Sequence, residues 1–348
     1  MFIKKIQIQN FRNYNMQEVE FNKNINIFYG DNAQGKTNIL EAIYFSAFGK
    51  SFRTNKEKEI IKKEEKFTKI HIDYEKKDRD EKIDINISDK KIISVNGVKI
   101  NKLSELLGNI NIVIFTPDDI NILKEGPSSR RKFLNMMIGQ LRTNYIFNLN
   151  NYIKTMEQRN NYLKQKATNE AMLDIWDEKL ADYGEKIYKY REEFINKVEE
   201  KIKDIHKEIT NEEISIKYVS DAFSKENIID KLKKNRKLDL FRGYTSVGIH
   251  RDDFKVYING EEVNIYGSQG QNRTAILSLK LAELQVIYDD IGEYPILLLD
   301  DFMSELDEKR ISNFLKSIEN IQVIITCTRN LEIGNSKSYE VRQGKIFY

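Results

Sequence analysis

Gly30, Gly35, Lys36 and Thr37 stand at the spacing G-x-x-x-x-G-K-[ST], with Asp31, Asn32, Ala33 and Gln34 between the two glycines. That spacing suits a phosphate cradle. Glycines let backbone N–H groups approach phosphate oxygens, and the helix that follows turns its positive end toward them. In such a loop Lys36 faces the β- and γ-phosphates and the Thr37 hydroxyl faces Mg²⁺, with Asn38 beside them at the helix start. Ile25, Ile27 and Phe28 read as a short strand before the loop, and Ile39, Leu40, Ile43, Tyr44 and Ala47 fall at helical spacing after it. A plain glycine turn between strand and helix is the alternative. The spacing in this setting favours a nucleoside triphosphate site.

A second group of chemical residues lies near the other end of the chain. Pro295-Ile296-Leu297-Leu298-Leu299-Asp300-Asp301 is an apolar run ending in two carboxylates, the pattern of a central parallel strand covered on both faces. Asp300 is placed to hold Mg²⁺ through water, the Walker B task. Asp301, one residue on, is the candidate for polarising the attacking water. Lys36, Asp300 and Asp301 are thus the expected catalytic set, with ATP and Mg²⁺ as its cofactors. Most of the chain lies between the two motifs, so its ends must fold together around an inserted middle.

Ser268-Gln269-Gly270-Gln271 opens a helix with Ile276, Leu277, Leu279, Leu281 and Leu284 on it, about one helix length before the Walker B strand. Serine at a helix start is first of all an N-cap. The whole S-x-G-Q pattern asks for more, because Ser268, the Gly270 N–H and Gln271 can also present donors to a phosphate at a positive helix end. The arrangement is similar to ABC-type ATPases, where such a signature completes the site of a second subunit. Ser304-Glu305-Leu306-Asp307 corresponds to the D-loop at that interface. The expectation is an ABC-type head that forms a homodimer around ATP.

The elements that must position these motifs can be read coarsely. Residues 1–30 give strand, turn and strand before the loop. Apolar and polar residues alternate over 69–100, with a hairpin signal at Val95-Asn96-Gly97-Val98 that recurs at Tyr257-Ile258-Asn259-Gly260. Between about 128 and 208 the pattern is helical, interrupted only by Gly139 and Gly184. Trp176, Leu180, Tyr183, Ile187, Tyr190 and Phe194 step by four and three, as in helix–helix packing inside a lobe or a coiled-coil-like seam. Two helices of ~25 residues would reach no more than ~40 Å, too short for the arms of chromosome-structuring SMC proteins. The expected division is an ATPase lobe of residues 1–115 with 236–348, and a mostly helical lobe of residues 116–235.

The chain has 348 residues, of which 32% are charged and 40% hydrophobic. No apolar stretch approaches the ~20 residues of a membrane span, and Met1-Phe2-Ile3-Lys4 runs directly into the first strand, so neither a membrane nor a signal peptide is expected. One cysteine, Cys327, and scattered His71, His206 and His250 give no disulfide framework or metal cluster. The expected compartment is the cytoplasm, in association with the nucleoid. Net charge is only +3. Residues 50–69 nevertheless hold eight basic and four acidic side chains, and Lys231, Lys233, Lys234, Arg236 and Lys237 form a second basic run. Arg53, Lys56, Lys62 and Lys63 are the candidate DNA contacts.

Further blocks extend over nearly the whole chain: Asn10-Phe11-Arg12-Asn13-Tyr14, Gly49-Lys50-Ser51-Phe52-Arg53-Thr54, Thr116-Pro117-Asp118-Asp119, Gly126 to Leu134, Gly248-Ile249-His250-Arg251-Asp252-Asp253 and Ser268 to Thr274. In this order they resemble the RecF family, bacterial DNA-repair ATPases related to SMC heads. Departures are small, with Ile249 where a proline is usual and Asn272 where a second Gln is usual. Thr326-Cys327-Thr328 lacks the switch histidine of ABC transporters, leaving Thr326 or Thr328 as γ-phosphate sensor. The fold class implied is α/β, an ABC/SMC-type P-loop ATPase head with a mostly helical second lobe. The resemblance also implies an ATP-dependent dimer on double-stranded and gapped DNA, slow DNA-stimulated hydrolysis, and help in loading RecA with RecO and RecR. An OLD-type ATPase regulating a nuclease is the alternative, and the ATPase subunit of a transporter a third reading.

Overall fold

The computed structural model describes residues 1–165, 169–301, 320–331 and 333–348. Two compact units emerge, one of Met1–Asp119 with Glu283–Tyr348 and the other of Ile120–Ala282. Alternation in the N-terminal residues produces strands with one buried face. In β1 (Phe2–Phe11), Ile3, Ile6, Ile8 and Phe11 are buried. β2 (Tyr14–Glu20) turns back on it, and β3 (Ile25–Tyr29) leads into the glycine loop and α1 (Lys36–Phe48). β4 (Thr68–Lys76), β5 (Arg79–Ile87), β6 (Lys91–Val95) and β7 (Val98–Lys99) follow. They join β1 and β2 in a six-stranded antiparallel sheet of order β2-β1-β4-β5-β6-β7. Asn96 and Gly97 make the expected turn between β6 and β7. β8 (Ile112–Phe115) is wholly buried and ends this stretch of the first unit.

The second unit opens with α2 (Asn121–Lys124), α3 (Pro127–Leu141), α4 (Thr143–Leu163) and α5 (Glu170–Ile209). β9 (Ile214–Val219), α6 (Lys225–Lys234), α7 (Arg236–Arg242), β10 (Asp253–Ile258), β11 (Glu261–Glu262) and α8 (Val263–Tyr266) follow, and then α9 (Gln269–Ile291) begins. β11-β10-β9 form a small antiparallel sheet. Two expectations need correction. Residues 236–282 go with this unit, not with the ATPase lobe, because β10 pairs with β9 and Asp239 accepts a hydrogen bond from Arg159 of α4 at 2.8 Å. Helix α5 is also longer than two ~25-residue helices allow, since its 40 residues span about 60 Å at ~1.5 Å per residue. Gly184 does not break it. A Cβ there would lie 2.9 Å from Ile228 Cδ1, so the glycine permits close packing.

The buried stripe of α5 includes Leu180, Ile187 and Phe194 as expected, while Trp176, Tyr183 and Tyr190 flank it half-buried. Charged groups lie in the same stripe. Arg191 donates to the Ile249 carbonyl at 2.7 Å and to Asp252 at 3.2 Å. Asp252 also accepts from Ser220 at 2.6 Å, while Arg130 of α3 forks onto Asp253 at 2.6 and 2.9 Å. The Gly248–Asp253 block therefore ties four elements together through buried, mutually satisfied polar groups.

His250 belongs to the same network. Its Nε2 lies 3.1 Å from the Thr245 carbonyl, an acceptor only, so Nε2 carries the proton and Nδ1 accepts from the Tyr152 hydroxyl at 2.8 Å. Burial holds the imidazole pKa down at about 4. A depressed histidine pKa means that the unfolded chain binds the proton more readily, so stability falls as pH drops from ~6.5 toward the folded value. The total contribution is on the order of 3 kcal/mol. Thermal unfolding of His250→Asn should show a shallower loss of stability over that acid window than the unaltered chain. Parallel pH curves would contradict the neutral, buried imidazole.

The chain returns to the first unit with β12 (Ile296–Asp300), β13 (Val323–Cys327), β14 (Ser336–Arg342) and β15 (Lys345–Phe347). They complete a second sheet of order β15-β14-β3-β13-β12-β8, in which only β15 runs against its neighbour. Ile296, Leu297, Leu298, Leu299, Val323, Ile324 and Ile325 are fully buried, as continuous apolar runs in a covered parallel sheet require. The parallel register brings the end of β12 near the loop after β3, one strand apart across β13.

Candidate functional site

The glycine loop leaves β3 with Gly30 at φ 148° and enters α1 with Gly35 at φ 116°. A side chain at Gly30 would place its Cβ 2.4 Å from the Val341 carbonyl oxygen of β14, so glycine is required there for conformation and for space. Asp31, Asn32 and Ala33 form an exposed crest, Gln34 and Gly35 are half-buried, and Lys36 is buried. Two turns grip the loop from outside. From the β1–β2 turn, Asn13 donates to the Gln34 carbonyl at 2.9 Å and the Tyr14 hydroxyl to the Gly35 carbonyl at 3.0 Å. From the β14–β15 turn, the Gly344 N–H donates to the Gln34 carbonyl at 3.0 Å and the Gln343 N–H to the Gln34 side chain at 2.6 Å. The Lys36 ammonium donates to the Gly30 and Asp31 carbonyls at 2.7 and 2.8 Å.

The two halves of the expected site meet. Thr37 Oγ1 donates to Asp300 Oδ1 at 2.8 Å, and Thr326 Oγ1 of β13 donates to the same oxygen at 2.8 Å. Burial raises the Asp300 carboxyl above the usual range, opposed by those two hydrogen bonds. Asp301 follows with φ 49°, and its N–H meets both the Thr326 carbonyl at 3.2 Å and the Thr326 hydroxyl at 3.0 Å. Thr326 is therefore a buried brace for the two aspartates. Thr328 is exposed. Thr37 and Asp300 set two hard oxygen donors side by side, which fits Mg²⁺, an ion that takes few protein ligands and keeps several waters.

One acidic residue beside the loop is not visible in the sequence pattern. Glu41 of α1 is fully buried, and Arg12 forks onto it at 2.9 and 2.5 Å. The Ser51 hydroxyl also donates to it, and Arg53 approaches it at 3.4 Å while donating to Asn38 at 2.8 Å. A carboxylate amid Ile39, Leu40, Ala42 and Ile43 is the one available signal. Arg53, an expected DNA contact, is exposed while its guanidinium reaches the helix that follows the loop. Lys56 is 80% exposed, Lys63 is exposed and Lys62 half-buried. Backbone bonds from Arg12 to Ile60 and from Lys62 to Asn10, both 2.8 Å, fix their segment beside the β1–β2 turn. The second basic run is largely neutralised, with Lys231 on Asp221, Lys234 on Asp230 and Arg236 on Asp174 and Asp177.

In the second unit, Ser268 caps α9. Its Oγ accepts from the Gln271 N–H at 3.1 Å while Gln271 Oε1 accepts from the Ser268 N–H at 2.9 Å, a reciprocal capping box. Gln271 also donates to Glu212 at 2.6 Å. Ser268, Gln269 and Gly270 are exposed, and so are Ile265 and Tyr266 just before them, at 61% and 67%. The Ser268 hydroxyl hydrogen and the Gln269 and Gly270 N–H groups are not used by the helix itself. Ser304-Glu305-Leu306-Asp307 lies outside the described residues.

A P-loop after β3, a Walker B strand two positions across a mixed sheet, an added antiparallel sheet and an inserted helical unit define an ABC-type ATPase head of the SMC class. Residues 2–343 match the family described as RecF/RecN/SMC N terminal domain. The DNA replication and repair protein RecF of Clostridium perfringens is 47% identical over 359 aligned positions, covering 99% of both chains. That of Clostridium beijerinckii is 48% identical, covering 99% of this chain and 98% of the relative. A solved structure of the recombination mediator protein RecF with ATP, in the RecFOR pathway, is 40% identical with a TM-score of 0.94, covering 99% of this chain and 97% of that one. An SMC head bound to the C-terminal winged-helix domain of ScpA shares the fold at 15% identity and a TM-score of 0.59. The chain belongs to the RecF family of DNA replication and repair proteins. Among the described residues, no helix is long and apolar enough to cross a membrane.

Proposed function

We propose that this chain is an ATP-switched recombination mediator whose homodimer closes on duplex and gapped DNA. The observation that carries the nucleotide site is the 2.8 Å contact of Thr37 with Asp300, which unites motifs from opposite ends of the sequence beneath one glycine loop. The residues from Gly30 to Asn38 hold the triphosphate, with Lys36 on its β- and γ-phosphates. Thr37 and Asp300 hold Mg²⁺, which supplies positive charge to the phosphates when bound. Arg53 faces the same phosphates, aimed by Asn38 and Glu41. Asp301 orients the attacking water. Ser268, Gly270 and Gln271 meet the γ-phosphate of a second subunit, and the exposed Ile265 and Tyr266 fit a surface covered on dimerisation. Swinging a dimer from ~1% to ~99% requires ~5.5 kcal/mol. Charge-assisted hydrogen bonds give ~1.5–3 kcal/mol each, so two to four such bonds suffice. Hydrolysis removes them and reopens the dimer. By kinship with the RecFOR protein, RecR and RecO are the partners, and RecA loading the outcome.

Asp301→Asn tests the cycle. It should leave ATP binding within about twofold, reduce turnover by on the order of 100-fold and accumulate the ATP-bound dimer on sizing. Full turnover in this variant would remove Asp301 from the reaction.

The DNA surface is assigned to Lys56, Lys62 and Lys63 beside the β1–β2 turn. Binding there follows phosphates and not base edges, so affinity should fall steeply with salt. Replacing the three by Gln should lower the logarithmic salt slope by about 0.9 for each phosphate that is no longer neutralised, with ATP-driven dimerisation intact. An unchanged slope would move the DNA surface elsewhere.

A further inference from the structure

Helix α7 is built inside out. Its single buried residue is Asp239, held by Arg159 at 2.8 Å and by the Ser246 N–H and hydroxyl at 3.0 and 2.6 Å. Phe241 faces solvent instead at 87% exposed, flanked by the partly covered Leu238 and Leu240, each 37% exposed, and Tyr244 just beyond at 38%. A helix normally buries its apolar stripe, and adjacent exposed leucines and an aromatic mark an interaction surface. Cations surround this one. Lys237, Arg242 and Arg251 are exposed, Arg251 stands 5.7 Å over the Tyr244 ring, and Lys164 lies against Gly243. Among the described residues these four have no carboxylate partner within salt-bridge distance, in contrast to Lys231, Lys234 and Arg236 on the preceding turns.

We infer that the α7 face is a docking site for an acidic amphipathic segment of a partner protein. Its aromatic or leucine side chains pack on Leu238, Leu240 and Phe241, and its carboxylates meet Lys237, Arg242 and Arg251. Charge decides among the occupants. A second copy docked by two-fold symmetry would bring like cations together. A nucleic-acid backbone would satisfy the cations but leave Phe241 and the leucines without apolar partners. An acidic amphipathic segment satisfies both at once.

The test uses the full chain and a short fluorescein-labelled synthetic peptide in which Asp and Glu alternate with Phe and Leu. Anisotropy should show salt-sensitive binding to the unaltered protein. Phe241→Ala and Arg242→Glu should each weaken it at least about tenfold, and a peptide with Ser in place of Phe should not bind. Because both side chains are exposed, the melting temperature of each variant should match that of the unaltered chain. No peptide binding, or equal binding by the variants, overturns the assignment. So does a matching loss of duplex-DNA affinity in Phe241→Ala, which would make this a nucleic-acid face. Loss of self-association in that variant would make it a contact between copies and overturn it equally.

Discussion

Replacing Lys36 by Ala should lower ATP affinity by on the order of 100-fold or more and abolish ATP-driven dimerisation. The ammonium already donates to two loop carbonyls at 2.7 and 2.8 Å, so it is fixed where the loop curves. A lysine has three donors, and two charge-assisted bonds to phosphate oxygens at ~1.5–3 kcal/mol each account for a loss of that size. Ligand-induced stabilisation reads the result directly. The unaltered chain gains about 2.7 kcal/mol at a ligand concentration 100 times the dissociation constant, and Lys36→Ala should gain almost nothing at the same concentration. Lys36→Arg should restore charge but not function, because a planar fork does not take the place of a compact ammonium. A normal ATP-induced shift in the alanine variant would show that the loop does not bind nucleotide through this residue.

Ser268→Arg should all but eliminate the ATP-bound dimer while leaving monomer affinity for ATP nearly unchanged. Ser268 caps its helix and, in the proposed dimer, also donates across the subunit boundary, and this experiment separates the two. As a cap it is worth about 1 kcal/mol, a cost that a melting curve of the nucleotide-free chain will show. As the proposed donor across a subunit boundary it should be worth a share of the ~5.5 kcal/mol needed to close the dimer, which sizing at saturating ATP will show. Ser268→Asp keeps the cap and adds repulsion toward phosphate, so it should lose the dimer without the melting penalty. Mixing Ser268→Arg with Lys36→Ala should give at most one composite site. An equal fall in monomer ATP affinity for Ser268→Arg would place the serine in its own subunit's site.

The parts of this architecture that are legible in the sequence are those written in local spacing. The P-loop, the apolar Walker B strand and the Asn96-Gly97 turn each fit in a few consecutive residues. The blocks outside the P-loop resolve into structure by pairing with one another. Asn13 and Tyr14 hold the loop that Arg53 adjoins, and Arg130 holds Asp253. What escapes is long-range and electrostatic. The boundary expected at 235 falls where a basic helix ends, whereas α7 is tied in by one buried aspartate paired 80 residues away with Arg159. Gly184 resembles an interruption because its function is to admit Ile228, which only the packed unit reveals. Arg53 groups by sequence with the lysines around it, and only the packed unit shows its exposed guanidinium reaching Asn38 and the fully buried Glu41.

The hold of the β14–β15 turn on the glycine loop has a consequence for biosynthesis. Gln34 leaves the ribosome early, but its carbonyl and side chain find Gly344 and Gln343 only after about 300 further residues have been made. At ~5–20 residues per second that interval is roughly 15–60 s. For most of it Thr37 lacks Asp300, and β3 lacks its neighbours β13 and β14. A growing chain therefore carries the loop sequence without the pocket. Under the proposed cycle, neighbouring nascent chains on one messenger are not clasped together by ATP until these late strands have been made, so the order of synthesis itself delays the switch.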